Sequence, residues 1–134
     1  LTIAKTPFGN IGLMVCYDLR FPELALKLRA QGANILTAPA AFTYTTGQMH
    51  WQLLLQARAL DSQCQVLGAA QQGWHCENKR QTWGHALATQ SQGKVLDEVT
   101  HEGLGLIVVP FDLDEQLKIR EAMPLIQHRR LIQL

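Results

Sequence analysis

IGLMVCYDLRFPELALKLRAQGANILTAP, residues 11–39, sets an apolar run, a helical stretch and a second apolar run end to end. Residues 11–16 are nearly all apolar, as expected of a strand buried on both faces. Pro22 fits the first turn of a helix, where its missing N–H costs nothing. The helix predicted over residues 22–32 places Leu24, Ala25 and Leu28 on one face and stops at Gly32, a residue suited to a left-handed exit. Residues 34–39 then read as a short apolar strand closed by Pro39. This strand–helix–strand order predicts two strands lying side by side in a covered sheet.

Working outward, residues 1–4 alternate as a strand, and residues 6–10 carry the Pro and Gly-Asn signals of a turn. Residues 42–47 read as a polar loop. The spacing of Trp51, Leu54, Leu55, Arg58 and Ala59 predicts a helix over residues 48–63, a core face with one buried ion-pair partner in Arg58. Residues 65–70 read as a strand and residues 71–84 as a polar loop. Three more strands are predicted at residues 85–89, 94–99 and 104–109, the first two joined by a turn at Ser91-Gln92-Gly93. Asp112 is placed to cap a helix through Arg120. Residues 124–134 form an apolar tail that calls for a partner surface. The fold class is α/β, one compact unit with side-by-side strands first and antiparallel additions later, and with no repeat or linker.

The 134 residues are 47% hydrophobic and 17% charged, the balance of a folded chain. Twelve Lys and Arg against eleven Asp and Glu leave no basic surface suited to nucleic acid. The apolar runs are far short of the roughly 20 residues of a membrane span. Cys16, Cys64 and Cys76 show no CxxC spacing, which points to reduced thiols in a cytosolic setting. The adjacent pair His75-Cys76 lacks the spacing of a zinc site, so no metal or other cofactor is expected. The chain opens on Leu1 inside a predicted strand, and the expectation is a fragment.

Cys16 sits where the first buried strand gives way to a helix. A catalytic thiol needs a rigid, exposed position, a proton acceptor and donors for a developing oxyanion. The junction meets the first need, and the Tyr17 backbone N–H, next after the thiol, is a natural oxyanion donor. Asp18 reads as a cap for the turn. Arg20 can hold a substrate carboxylate bidentately, or pair with Asp18 or Glu23. Phe42 and Thr43 follow the strand ending at Pro39, at the carboxyl end of the sheet where ligands bind, and are pocket-wall candidates with loop structure as the alternative. His50, His75 and His85 read as structural histidines. A cysteine ending an apolar strand is also a common core residue, so spacing alone leaves Cys16 open.

GLMVCYDLRFPE, residues 12–23, resembles the nucleophile motif of the nitrilase superfamily of carbon–nitrogen hydrolases, in its Nit amidase branch. The resemblance extends through TPFGNIGLMVCYDLRFPE (residues 6–23), TTGQMHWQLLLQARALDSQCQVLGAAQQG (residues 45–73) and WGHALATQSQGKVLDEV (residues 83–99), in the family's order. It implies a four-layer α-β-β-α sandwich, of which residues 1–134 would be a truncated C-terminal portion. The activity implied is hydrolysis of a small carboxylated amide such as deaminated glutathione, with omega-amidases on 2-oxo-dicarboxylate amides as near relatives. Cys16 matches the family nucleophile, and Arg20 matches a carboxylate-binding arginine of some relatives. The family's glutamate base and oxyanion lysine lie upstream of its cysteine, and Lys5 does not sit in the lysine motif. The chain alone is therefore expected to have little or no activity, and a non-catalytic remnant or binding module is the alternative. Gln52 replaces a glutamate common in relatives. A homodimer is expected by resemblance, with no nucleic acid or membrane partner and a cytoplasmic location.

Overall fold

The computed structural model describes residues 1–130. The opening stretch forms β2 (Gly9–Leu13), a 3-10 turn (Cys16–Arg20), α1 (Pro22–Ala30) and β3 (Ile35–Thr37). β3 lies parallel to β2, with Gly12 opposite Leu36. β2 ends at Leu13, earlier than its apolar run, yet the backbone keeps following its neighbour. Met14 N–H donates to Thr37 O at 3.0 Å and Cys16 N–H to Pro39 O at 2.9 Å. Pro22 occupies the first turn of α1, and Gly32, just beyond its end, has φ 98°.

β1 (Ile3–Thr6) pairs antiparallel with β2, and β4 (Gln65–Gly68) pairs parallel with β3. β7 (Leu87–Thr89) and β8 (Val95–Glu98) extend the sheet antiparallel, giving the order β1-β2-β3-β4-β7-β8. The expected early parallel and late antiparallel pairing is what the sheet shows. The turn at residues 91–93 is present, with Gly93 at φ 80° and its N–H donating to Gln90 O at 2.9 Å.

Side chains alternate across this sheet, so register decides which side is covered. Gly12, Leu36 and Val66 are in register and face α1 and α2 (Tyr44–Ser62). On that side Met14, Leu19, Leu28, Leu36, Trp51, Leu55 and Val66 pack into one buried cluster. Each fully buried large apolar side chain there contributes about 1.5–3 kcal/mol. Among the described residues no helix lies over the opposite register line, Leu13–Thr37–Leu67–Ala88, and Leu13 is 43% exposed.

α3 (Leu113–Ala122) begins at the expected cap, where the Asp112 carboxylate accepts from Glu115 N–H at 2.8 Å. It docks at one end of β3 and β4 through a buried amide network. Gln116 donates to Asn34 O and to Ser91 Oγ, each at 2.9 Å, and accepts from Asn34 Nδ2 at 3.2 Å. α4 (Leu125–His128) follows, and residues 131–134 of the expected tail lie outside the described residues. None of the described helices is long and apolar enough to cross a membrane.

Three expectations need correction. Residues 71–84 are not a loop but a separate hairpin, β5 (Gln72–His75) with β6 (Arg80–Trp83). Its turn places Cys76, Glu77 and Asn78 at φ 52°, 55° and 62°, and without glycine there the usual hairpin signal was missing. Residues 104–109 are not a strand. Residues 105–109 line a hollow of about 650 Å³ with Leu67 and Ala88 on the side of the sheet away from α1 and α2, and Leu104, Leu106 and Val108 are 101%, 88% and 84% exposed. Their apolar alternation mimics a strand without a ladder to join. Finally, α2 starts at Tyr44, inside the stretch read as a polar loop, because its first turn packs against the unforeseen hairpin.

Gly47 shows how close that packing is. A Cβ at Gly47 would lie 2.2 Å from Trp83 Cβ. Alanine would gain up to about 1 kcal/mol of helix propensity, but overlap with so rigid an atom outweighs that. Gly47→Ala is expected to lower stability by about 1–3 kcal/mol, read from the urea-denaturation midpoint.

Candidate active site

Cys16 adopts φ 47°, left-handed backbone that a non-glycine residue takes at a cost of roughly 1–3 kcal/mol. The conformation ends the extended path and turns the chain into the 3-10 turn. Two hydrogen bonds fix the corner. Cys16 N–H is tied to Pro39 O, and Val15 N–H donates to Asp18 Oδ2 at 2.9 Å. Asp18 is thus the turn cap expected of it. Among the described residues, none of the turn and loop hydrogen bonds uses the Tyr17 N–H. The half-buried Cys16 opens on a cleft of about 880 Å³ at the carboxyl ends of β2, β3 and β4.

The cleft wall is mostly small and apolar, from Val15, Pro39, Ala40, Ala41, Ala69 and Ala70. Its polar side chains besides Cys16 are Gln71, Gln72 and His75, two of them carried by β5. Among the described residues no Asp, Glu, Lys or Arg lines it. His75 Nε2 is 2.8 Å from Thr82 Oγ1, which donates to Gly73 O at 3.3 Å. That contact fixes the orientation of the imidazole in the cleft wall whichever of its nitrogens carries the proton. In the sequence His75 has no carboxylate at triad spacing and reads as structural; the structure places it on β5 in the cleft wall.

Arg20 stands beside the turn rather than in the cleft wall. Its guanidinium lies 5.4 Å from the ring centroids of both Tyr17 and Phe42. Nη1 and Nη2 each approach His50 Nδ1 at 3.4 Å, and since a guanidinium only donates, His50 accepts there. Neither Asp18 nor Glu23 bridges Arg20, and no carboxylate among the described residues does. Phe42 is 8% exposed and meets Trp51 edge to face at 5.2 Å. Thr43 precedes α2, its Oγ1 2.7 Å from Thr46 Oγ1. The structure therefore gathers Tyr17, Arg20 and Phe42 around the turn and leaves Thr43 at a helix start. His85 lies elsewhere, stacked on Trp83 and 2.6 Å from Glu98 Oε1.

The sequence profile of carbon-nitrogen hydrolases matches residues 1–120. The chain belongs to that family. It is 46% identical over 132 residues to the deaminated glutathione amidase of Yersinia enterocolitica, covering 98% of this chain and 46% of that protein. The crystal structure of the C. elegans NitFhit protein superposes with a TM-score of 0.92 at 42% identity, over 97% of this chain and 31% of that one. Saccharomyces cerevisiae Nit3, a member of branch 10 of the nitrilase superfamily, superposes at 0.87 with 34% identity, over 97% and 47%. The chain spans less than half the length of these relatives. The expected nitrilase-type α/β fold is thereby shown, and the described residues form of it a six-stranded sheet with α1 and α2 on one face and the separate hairpin of β5 and β6.

The other thiols of this hydrolase chain have different surroundings. Cys76 is exposed and Cys64 is fully buried. Arg120 Nη2 donates to Cys64 Sγ at 3.3 Å and to Ala33 O at 3.1 Å. Burial pushes the Cys64 thiol up from its ordinary value of 9.0, and the Arg120 charge opposes that without cancelling it. A buried, protonated thiol is a poor nucleophile, so Cys64 is a packing residue. The unfolded chain ionises this thiol first, so its stability contribution is complete below about pH 8.5 and declines as pH rises beyond. Urea midpoints between about pH 8 and 10 are expected to fall more steeply for the unaltered protein than for Cys64→Ala.

Proposed function

We propose that the protein carrying this chain is an amidase that hydrolyses a small carboxylated amide through a Cys16 thioester. Deaminated glutathione is the favoured substrate, and omega-amides of 2-oxo-dicarboxylates are the nearest alternative. The observation that carries the proposal is the left-handed corner at Cys16, opening on a cleft at the carboxyl ends of the parallel strands. The amidase named for the Yersinia enterocolitica relative supports the substrate class.

In this reading the Cys16 thiolate attacks the amide carbon, and the carbonyl electron pair moves onto oxygen. The Tyr17 N–H donates to that oxyanion. Collapse breaks the C–N bond, the amine leaves with a proton, and the acyl group remains on sulfur. Water then attacks the thioester, releasing the carboxylic acid and restoring the thiol. Arg20, held between two rings and free of carboxylate partners among the described residues, binds the substrate carboxylate. Phe42 acts by backing Arg20, and Thr43 by shaping the start of α2.

The cleft wall described here contains no acidic or lysine side chain among the described residues, so the proton acceptor and oxyanion cation must face Cys16 from other residues. A thiol without them loses most of its catalysis. Residues 1–134 alone are therefore expected to show at most residual turnover of deaminated glutathione, assayed by product release. Near-family rates from that polypeptide would overturn this part of the proposal. A non-catalytic binding module is the reading that the same bare wall would otherwise favour.

Intact-mass spectrometry of the natural-length protein, quenched during turnover, is expected to show an acyl adduct that maps to Cys16. Cys16→Ala is expected to abolish both adduct and turnover. Active enzyme without an adduct at Cys16 excludes it as the nucleophile. Arg20→Met is expected to raise KM for carboxylated amides by about 10-fold or more, with a smaller change for amides lacking the carboxylate.

A further inference from the structure

We propose that Arg58 is a positioning residue for the nucleophile, acting through the Leu19 carbonyl of the turn that begins at Cys16. Its Nη1 donates to Leu19 O at 2.8 Å, 39 residues away in sequence, while Nη2 pairs with Asp61 Oδ2 at 2.8 Å. Arg58 is 6% exposed and Leu19 is fully buried, so water does not replace the bond between them, whereas the Asp61 side chain is 41% exposed. A buried carbonyl needs a donor.

The local chain cannot supply one. The backbone leaves the turn at Phe21 with φ −107° and ψ 94°, the extended conformation favoured before a proline. Pro22, three residues after Leu19 and the next 3-10 donor position, has no N–H. Phe21 N–H is already given to Asp18 O at 3.0 Å. The same proline that starts α1 thus strips the turn of its last internal hydrogen bond, and Arg58 of α2 replaces it. The corner at Cys16 is then pinned at one end by Pro39 and at the other by Arg58. Misplacing a reacting atom by about 1 Å costs on the order of 100-fold in rate, so the second pin acts on kcat.

This inference rests on Cys16 being the nucleophile, and two complementary variants of the natural-length enzyme test it separately from that reading. Arg58→Lys keeps a cation for Asp61, but its single ammonium gives up the carbonyl. Asp61→Asn keeps the carbonyl bond and gives up the ion pair. Arg58→Lys is expected to lower kcat about 10-fold or more with KM within about twofold, and to slow iodoacetamide alkylation of Cys16 by peptide mass mapping. Asp61→Asn is expected to leave kcat and alkylation within about threefold, whatever it does to the melting temperature. Equal kcat losses in both variants would mean that the ion pair or general stability matters, and overturn the inference. So would an Arg58→Lys enzyme that matches the unaltered kcat. Should Arg58→Lys fail to fold while Asp61→Asn folds, an ester in place of the Leu19–Arg20 amide weakens the same acceptor and is read by the same kcat criterion. If Cys16→Ala retains turnover, it is the nucleophile reading that fails.

Discussion

A single backbone corner organises this half of the sheet. Cys16 holds a left-handed conformation that costs energy at a residue with a Cβ. The strain persists only because the surroundings over-determine it. Pro39 O holds the amide, Asp18 closes the turn over Val15 N–H, and Arg58 holds the far carbonyl. Each of these partners depends on a different element being in place. β3 must run parallel to β2 to present Pro39, and α2 must lie over the turn to present Arg58. The corner is therefore a readout of the whole β-α-β-α unit, and the cleft exists only when that unit is assembled.

The sheet is asymmetric, and its registers show why. The line Gly12–Leu36–Val66 is covered by α1 and α2, where a Cβ on Gly12 would lie 3.2 Å from Leu28 Cβ of α1. Helix and strand approach so closely there that glycine is needed. The line Leu13–Thr37–Leu67–Ala88 faces a hollow bordered by residues 105–109. Apolar groups on that side gain their hydrophobic stabilisation only when water is removed from them. Leu106 and Val108, which border the hollow, remain exposed and have not made that gain.

The sequence was most legible where period and punctuation agreed. Pro22 at the start of α1, Gly32 after it, and Asp112 before α3 each had a local physical reason and mark real boundaries, whereas the apolar run before Cys16 outlasts β2 by three residues. It was least legible where tertiary contacts decide. β5 and β6 carry Gln72, Trp74, Arg80 and Thr82, and turn through three non-glycine residues at positive φ, so neither period nor turn chemistry marked them. The lost hairpin hid two features of the site, the polar cleft wall at Gln72 and His75 and the early start of α2. Residues 104–109 failed in the opposite way. They carry a strand-like pattern, but a ladder needs a free neighbour in register, which no periodicity reports.

The distribution of charge follows from that architecture. Each charged side chain near Cys16 serves the turn or stands outside the wall. Asp18 is engaged by Val15 N–H, and Arg20 is stacked between Tyr17 and Phe42 against His50. Arg58 is buried behind the turn. Among the described residues, what this wall presents to a ligand is free of carboxylate, ammonium and guanidinium groups, composed of backbone, mostly small side chains, amides and one imidazole. Such a surface can orient an amide by hydrogen bonds and exclude water around it. In the proposed reaction it leaves proton transfer to groups facing the wall, and this chain's share is to place the sulfur, the Tyr17 N–H and Arg20. Placement is a backbone property here, which is why its support runs through Leu19 O and Pro39 O rather than through any side chain touching the thiol.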